Sequence, residues 1–303
     1  MPQRVAITGS SGLIGSALSA FLTARGDEVV HLVRRPVRTS AEVSWDPSSR
    51  YLDPAALEGV TAVVNLAGAG VGDRRWTPSY QQQILASRVD STHAIATALA
   101  ERGGPARLVS GSAVGFYGDR GDEVLTETSG PGSGFLTEVV LAWEAAARTA
   151  VDAGIPVAFS RTGLVFAAHG GALGRMLPLA KAGINGPLGS GRQWWPWISL
   201  RDTVSALAHL VDHPDLTGPV NVVGAAPVRQ RDVAAAVGRL VHRPAVLPAP
   251  AIGIRAVLGG FAVEVLNSKR AVPDRLRASG FVHQDTDLTT TLQQLVAPAH
   301  SQP

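Results

Sequence analysis

Gly9-Ser-Ser-Gly12-Leu-Ile-Gly15 is the stretch whose residue types and spacing carry the clearest chemistry. It follows the apolar run Arg4–Thr8 and leads into apolar residues at helical spacing from Leu13 to Arg25. Glycines in such a G-x-x-G-x-x-G turn let the backbone approach a pyrophosphate and let the helix pack close on the strand. The free amides and positive dipole end of the following helix suit phosphate oxygens. A lone glycine pattern says little, but strand, turn and helix around it make a dinucleotide site the expected reading. The cofactor contacts expected from this loop are Gly9, Ser11, Gly12, Leu13 and Ile14.

The end of the next apolar run, Glu28–Val33, bears on which dinucleotide is bound. An acid there would hold the ribose hydroxyls of NAD. Asp27 and Glu28 stand at the start of the run instead, and it finishes at Val33-Arg34-Arg35. Two guanidiniums suit an adenosine 2′-phosphate, and either could stack on adenine. NADP(H) is the expected cofactor; a solvated arginine pair is the alternative reading.

Elements of alternating type must position these groups. Strands are expected at Arg4–Thr8, Glu28–Val33, Val60–Leu66, Ala106–Ser110 and Val157–Ser160, with helices at Leu13–Arg25, Pro78–Arg102 and Phe135–Ala153. The order predicts an α/β fold, a Rossmann-type doubly wound parallel sheet with helices on both faces. From about Gly163 the character changes to a glycine-rich stretch, Gly170–Gly191, and then Trp194, Trp195 and Trp197. A helix over Arg201–Asp212, a strand over Val220–Val223 and a helix over Arg231–Val241 follow. Pro244, Pro248 and Pro250 mark an extended segment before short helices that end near Val296. The expected division is a dinucleotide-binding domain over residues 1–165 and a smaller C-terminal α/β lobe over 166–303, with later segments able to add strands to the sheet.

Bulk properties remove other classes. With 303 residues, 45% hydrophobic and 17% charged, the chain can bury a large core and is not a disordered type. No cysteine is present, which excludes disulfides, thiolate nucleophiles and cysteine metal sites. The histidines show no ligand spacing, so no metal is expected. A net charge of +3 with scattered arginines offers no basic stripe, and no nucleic-acid partner is expected. No apolar run is long enough to span a bilayer, and the chain opens directly on a strand. A cytoplasmic protein without a membrane partner is the expectation.

The loop Gly9–Gly15, the turn Asn65-Leu-Ala-Gly68 and Ser110-Gly-Ser112 together resemble the extended short-chain dehydrogenase/reductases. More narrowly, the chain resembles an atypical epimerase-family branch with its own C-terminal domain of unknown function. That resemblance rests on Trp45-Asp-Pro47, Arg75-Trp-Thr77, Ser87-Arg-Val89, the run from Ala113 to Glu123, Gly134-Phe-Leu136 with Trp143-Glu144, Trp195-Pro-Trp-Ile198, and the tail from Arg243 to Phe281. It implies that Leu66, Ala67, Gly68, Ser110 and Gly163 also serve the cofactor, and it leaves a homodimer open through the two long helices.

The resemblance has a gap where the family does its proton chemistry. Short-chain dehydrogenases resemble one another in a serine and a Tyr-x-x-x-Lys pair. Ser112 matches the serine, but the helix that should carry the pair reads Phe135-Leu-Thr-Glu-Val139. Phenylalanine has no ionisable proton and valine cannot stabilise a phenolate. Tyr117 is the substitute proton donor considered, against a packed aromatic with its hydroxyl on the backbone. Glu138 is another, against an exposed helix glutamate. Arg88 falls where extended members commonly carry asparagine; it would bind an anionic substrate or the pyrophosphate, or else form a structural ion pair.

The substrate of this family lies between the sheet and the C-terminal lobe. Gly189–Gln193 with Trp194, Trp195 and Trp197 would fill that place, the aromatics stacking on a flat or sugar-like group and Arg192 or Gln193 binding its polar edge, or else the tryptophans packing a core. Asp202 reads as a helix-start residue. Two functions stay open: an NADP(H)-dependent oxidoreductase or epimerase-like enzyme acting on a small, anionic or sugar-like substrate, and a non-catalytic NADP(H)-binding sensor or partner-binding protein.

Overall fold

Runs such as Val5-Ala-Ile7 and Ala62-Val-Val64 have no polar face, so both sides of each strand must be covered. A parallel sheet between helices meets that demand. The computed structural model, which describes residues 2–297, has this architecture. The chain runs through β1 (Arg4–Thr8), α1 (Leu13–Arg25), β2 (Glu28–Val33), β3 (Glu42–Ser44), β4 (Ala62–Asn65), α2 (Pro78–Arg102) and β5 (Arg107–Ala113). Next come β6 (Val124–Leu125), α3 (Phe135–Ala145), α4 (Arg148–Asp152), β7 (Val157–Thr162), β8 (Leu164–Phe166) and α5 (Gly171–Lys181). β9 (Trp194–Trp195), β10 (Trp197–Ser199), α6 (Leu200–Asp212), β11 (Gly218–Val222), β12 (Val228–Arg229) and α7 (Gln230–Leu240) follow. The tail holds α8 (Ala251–Leu258), α9 (Ala262–Leu266), β13 (Arg270–Ala271), α10 (Asp274–Ala278) and α11 (Leu288–Val296).

Seven strands form the central sheet in the order β11-β7-β5-β4-β1-β2-β3. β1 lies parallel to β2 and to β4, β2 to β3, and β4 to β5. The chain winds outward from β1 to β3, then crosses back to β4 on the other side of β1. At that reversal Thr8 at the end of β1 is level with Asn65 at the end of β4. The loops leaving the two strands diverge there, which is where open α/β sheets hold ligands. The expected doubly wound parallel fold is the one observed.

Two compact units make up the chain, and they interleave in sequence. One takes Met1–Phe116, Ser133–Arg161 and Val204–Val220; the other takes Tyr117–Gly132, Thr162–Thr203 and Asn221–Pro303. Both therefore draw segments from across the expected boundary at residue 165. The core of the first unit gathers Ala6, Leu32, Val63, Ile95, Leu99 and Leu108. The second has its own core of Phe166, Leu173, Trp195, Trp197, Val237 and Leu292. Its strands pair only in twos, β8 with β10, β9 with β12 and β6 with β13.

Some elements differ from expectation. The single helix expected over Phe135–Ala153 is two, α3 and α4, divided at Ala146 and Ala147. The edge strand β3 has too few apolar residues to show as a period. β5 continues to Ala113, past the expected end at Ser110, because its burial continues through Ser112.

Candidate functional site

The turn between β1 and α1 is glycine by necessity. Gly9 has φ +63°, and a Cβ there would stand 2.7 Å from the Leu66 carbonyl oxygen. A Cβ at Gly15 would stand 2.3 Å from the Gly9 carbonyl oxygen. The Gly12 amide donates to that same oxygen at 2.9 Å, closing the turn. As the N-cap of α1, Gly12 has no side chain to cap the helix, and the first turn holds no acid. The leading amides of α1 are thus left for an external acceptor. Leu13 and Ile14 form that first turn, and Gly9, Ser11 and Gly12 line the groove beside it.

The opposite wall is held by a buried polar chain. The amides of Leu66 and Ala67 both donate to Thr8 Oγ1 at 3.0 Å, and Thr8 Oγ1 donates to Asn65 Oδ1 at 2.6 Å. Asn65 Nδ2 donates to Thr92 Oγ1 at 2.8 Å, which also accepts Trp143 Nε1 at 3.0 Å. This fixes Leu66, Ala67 and Gly68 along the groove, a cavity of about 1290 Å³ that runs on past His31, Arg34 and Trp45. A cavity of that size exceeds an ordinary small-ligand pocket and suits an extended dinucleotide.

The arginines at the end of β2 differ in their charge balance. Arg35 forks onto Glu42, with Nη1 and Nη2 donating at 2.9 and 2.6 Å. That hydrogen bonding, helped by the Arg38 amide, holds the Glu42 carboxyl down at about 2. Arg34 is exposed, lines the groove and has no ion pair among the described residues. It is the arginine with charge to spare for a phosphate. His31, a single polar residue inside an apolar run, also lines this wall, and its buried Nδ1 has no hydrogen-bond partner among the described residues. The glycine cradle, the uncapped helix and the spare guanidinium together fit NADP(H).

Arg88 lies directly behind Gly68: a Cβ on that glycine would be 3.2 Å from the Arg88 Cζ. Its Nη1 donates to the carbonyls of Ala69 and Ile84, at 2.9 and 3.0 Å, and its guanidinium sits 5.0 Å from the Trp143 ring. It has no carboxylate partner among the described residues, and burial pushes it down to about 10. The ion pair expected as an alternative is not formed.

The region where the family places its proton chemistry is closed by contrast. Phe135 and Val139 join an apolar cluster with Tyr80, Ile84 and Trp76, and the Phe135 and Trp76 rings meet edge to face at 5.0 Å. One residue further along α3, Leu136 and Val140 face Gly115 and are equally apolar. Glu138 is exposed. Ser112 is buried, and its Oγ donates to Glu144 Oε1 at 2.6 Å. Glu144 in turn takes a forked pair of hydrogen bonds from Arg161 Nε and Nη2, both 2.9 Å, and the Arg161 guanidinium stacks 3.4 Å from the Phe116 ring. The sequence signal for this network was Arg161 itself, a charge inside a buried strand that required a counter-ion. Ser110 is fully buried, with its Oγ on the Gly111 carbonyl.

Other expected site residues fall in the second unit. Tyr117 is fully buried, and its hydroxyl donates to Asn221 Oδ1 at 2.7 Å. Gln193 is buried, its Nε2 shared between the carbonyls of Leu188 and Val265. Trp197 is in the core with Nε1 on the Ala226 carbonyl. Trp194 is half-buried; its ring carries the guanidiniums of Arg229 at 3.8 Å and Arg270 at 4.7 Å, and its Nε1 donates to Asp122. Gly163 lies so close to Pro196 that a Cβ would stand 2.0 Å from its carbonyl oxygen. Asp202 is fully buried in the first turn of α6 and accepts the amides of Gln284 and Asp285. This geometry gives Tyr117, Gln193, Trp197 and Gly163 packing and anchoring roles within their unit.

Residues 5–224 match the NAD dependent epimerase/dehydratase family. The chain belongs to that family. Residues 249–295 match a domain of unknown function, DUF1731, the two-part arrangement that the sequence resembled. An epimerase family protein of Mycobacterium bovis is 45% identical over 93% of this chain and 94% of its own length. The epimerase family protein SDR39U1 of Bos taurus is 35% identical over 97% of this chain and 100% of its own. Among solved structures, human epimerase family protein SDR39U1, crystallised with NADPH, superposes with a TM-score of 0.89 at 31% identity, covering 97% of this chain and 99% of that one. Against this family frame, Phe135 and Val139 mark a member without the tyrosine–lysine pair.

Proposed function

We propose that this chain is an NADP(H)-dependent oxidoreductase or epimerase-like enzyme acting on a small substrate that carries negative charge or a sugar-like group. The observation that carries the reading is the pairing of an uncapped, glycine-cradled helix start with Arg34, the unpaired guanidinium at the end of β2. The NADPH bound by the human relative supports the same cofactor. When bound, that cofactor supplies the site that gives or takes a hydride.

The chain's own residues do the rest. The α1 amides receive the pyrophosphate, and Arg34 receives the 2′-phosphate. Arg88, a partly desolvated cation with no acid beside it, receives a further negative group, on the substrate or the pyrophosphate. Ser112 commits its proton to Glu144 and so presents lone pairs, an arrangement suited to accepting a hydrogen bond from a substrate hydroxyl. Arg161, forked onto Glu144, holds that carboxylate in place for that purpose.

The test is oxidation of protein-bound NADPH, followed by absorbance, across a panel of carbonyl compounds and nucleotide sugars, with wild type and Ser112→Ala. Turnover that falls in the variant is the expected result. A second reading, a sensor that binds the cofactor without turning it over, is favoured by the apolar Phe135 and Val139 and the buried Tyr117 hydroxyl. No consumption of bound NADPH and no isomerised product, followed by chromatography, with any member of the panel decides for the sensor.

A further inference from the structure

The second unit exposes a surface that neither its core nor the groove accounts for. Val246, Leu247, Ile252 and Val257 are 61–80% exposed, and Leu179 and Ile184 are exposed beside them. Side chains so open are protrusions, not the walls of a cleft. Their segments are tied together by backbone. The Ile184 amide donates to the Leu179 carbonyl, Ala249 donates to Pro187, and Gly189 donates to Ala249. A β-bridge joins Leu188 to Ala249, and α8 begins from Pro250.

The charged residues of these chain segments have one sign. Lys181, Arg239, Arg243 and Arg255 are all exposed, and none forms an ion pair among the described residues. No aspartate or glutamate occurs between Arg161 and Asp202, or between Asp232 and Glu264. A shallow depression of about 550 Å³, lined by Arg239, His242, Arg243 and Val246, lies within the same region.

We propose that this surface docks the protein peripherally on an anionic lipid bilayer, an interaction independent of the cofactor site. The protruding aliphatic side chains enter the headgroup–acyl boundary while the lysine and arginines meet lipid phosphates, the division of labour of an interfacial contact. The expectation of no membrane partner rests on the lack of a spanning run and on the strand at the start of the sequence, and no helix among the described residues is long and apolar enough to cross. An interfacial contact needs no such helix. A second copy of the chain is the poorer occupant. A twofold interface sets each patch against itself, bringing cation against cation with no acid in these segments to offset them.

The experiment is co-flotation of the full chain with vesicles of phosphatidylcholine alone and of phosphatidylcholine mixed with phosphatidylglycerol. The wild type is expected to float only with the mixed vesicles and to release as salt rises. Two variants, Ile252→Asn with Val257→Asn and Arg243→Gln with Arg255→Gln, should each lower partitioning about tenfold or more. Because all four positions are solvent-exposed, circular dichroism and melting temperature should stay unchanged. Failure of the wild type to bind anionic vesicles at low salt overturns the proposal, and so does binding that both variants retain. A dimer in solution that Ile252→Asn with Val257→Asn dissociates would also overturn it, assigning the surface to a second copy.

Discussion

At the C-terminal ends of β1, β2 and β4 the chain leaves donors and charges open, whereas at β5, β7 and α3 it leaves almost none. Among the described residues the first turn of α1 has no side-chain cap, Arg34 has no acid, and the buried Nδ1 of His31 has no partner. Around α3, in the same unit, Ser112 is bonded to Glu144, Glu144 is forked onto Arg161, and the positions of the family's tyrosine and lysine are apolar. Unmet polar groups in a folded protein cost stability unless something external meets them. The contrast therefore separates a region whose groups are left open to a ligand from one whose polar groups are already held by one another. The cofactor groove stands open here, while the positions of the family's tyrosine and lysine are apolar.

Breaking the closed region should have the largest effect. Arg161→Met leaves the Glu144 carboxylate buried without its cation, at a cost of about 3–5 kcal/mol in unfolding free energy. Denaturant titration measures it, and adding Glu144→Leu should recover most of the loss. A loss well under 1 kcal/mol would mean the pair is not the internally sealed unit described.

The open region should break in affinity. Gly15→Ala forces a methyl group into the backbone oxygen of Gly9, displacing the turn. NADPH affinity should fall roughly hundredfold, about 3 kcal/mol, by titration calorimetry. An unchanged dissociation constant would show that the turn does not hold the pyrophosphate.

The smallest effect sharpens the comparison from outside both regions. Glu127 in the second unit is buried, its Oε2 has no partner, and burial raises its pKa. An acid raised in the fold contributes fully below its unfolded value and loses that contribution as pH rises through the folded one. Glu127→Gln should therefore raise the melting temperature at neutral pH, worth about 1 kcal/mol, and the gain should vanish near pH 4. A gain that is the same at both ends of that range would contradict the assignment.

Much of the open region was legible in the sequence, since the glycine turn and the paired arginines obey local rules. Which arginine is free was not, because Glu42 lies on a three-residue edge strand with no periodic signature. His31 was hidden for a similar reason, as a single polar residue within a buried run. The closed region was legible only by what it lacks. Phe135 and Val139 announce the missing pair, but the Ser112–Glu144–Arg161 chain joins three elements far apart in sequence. Trp197 and Gln193 likewise have residue types that fit either a ligand or a core, and only packing decides between them.

The most direct measurement compares NADPH with NADH binding to the wild type and to Arg34→Ala. NADPH should bind more tightly to the wild type, and the variant should lose about 2 kcal/mol, roughly thirtyfold, for NADPH with NADH hardly changed. Equal affinity of the wild type for the two nucleotides, or a preference that survives removal of the guanidinium, would contradict the account.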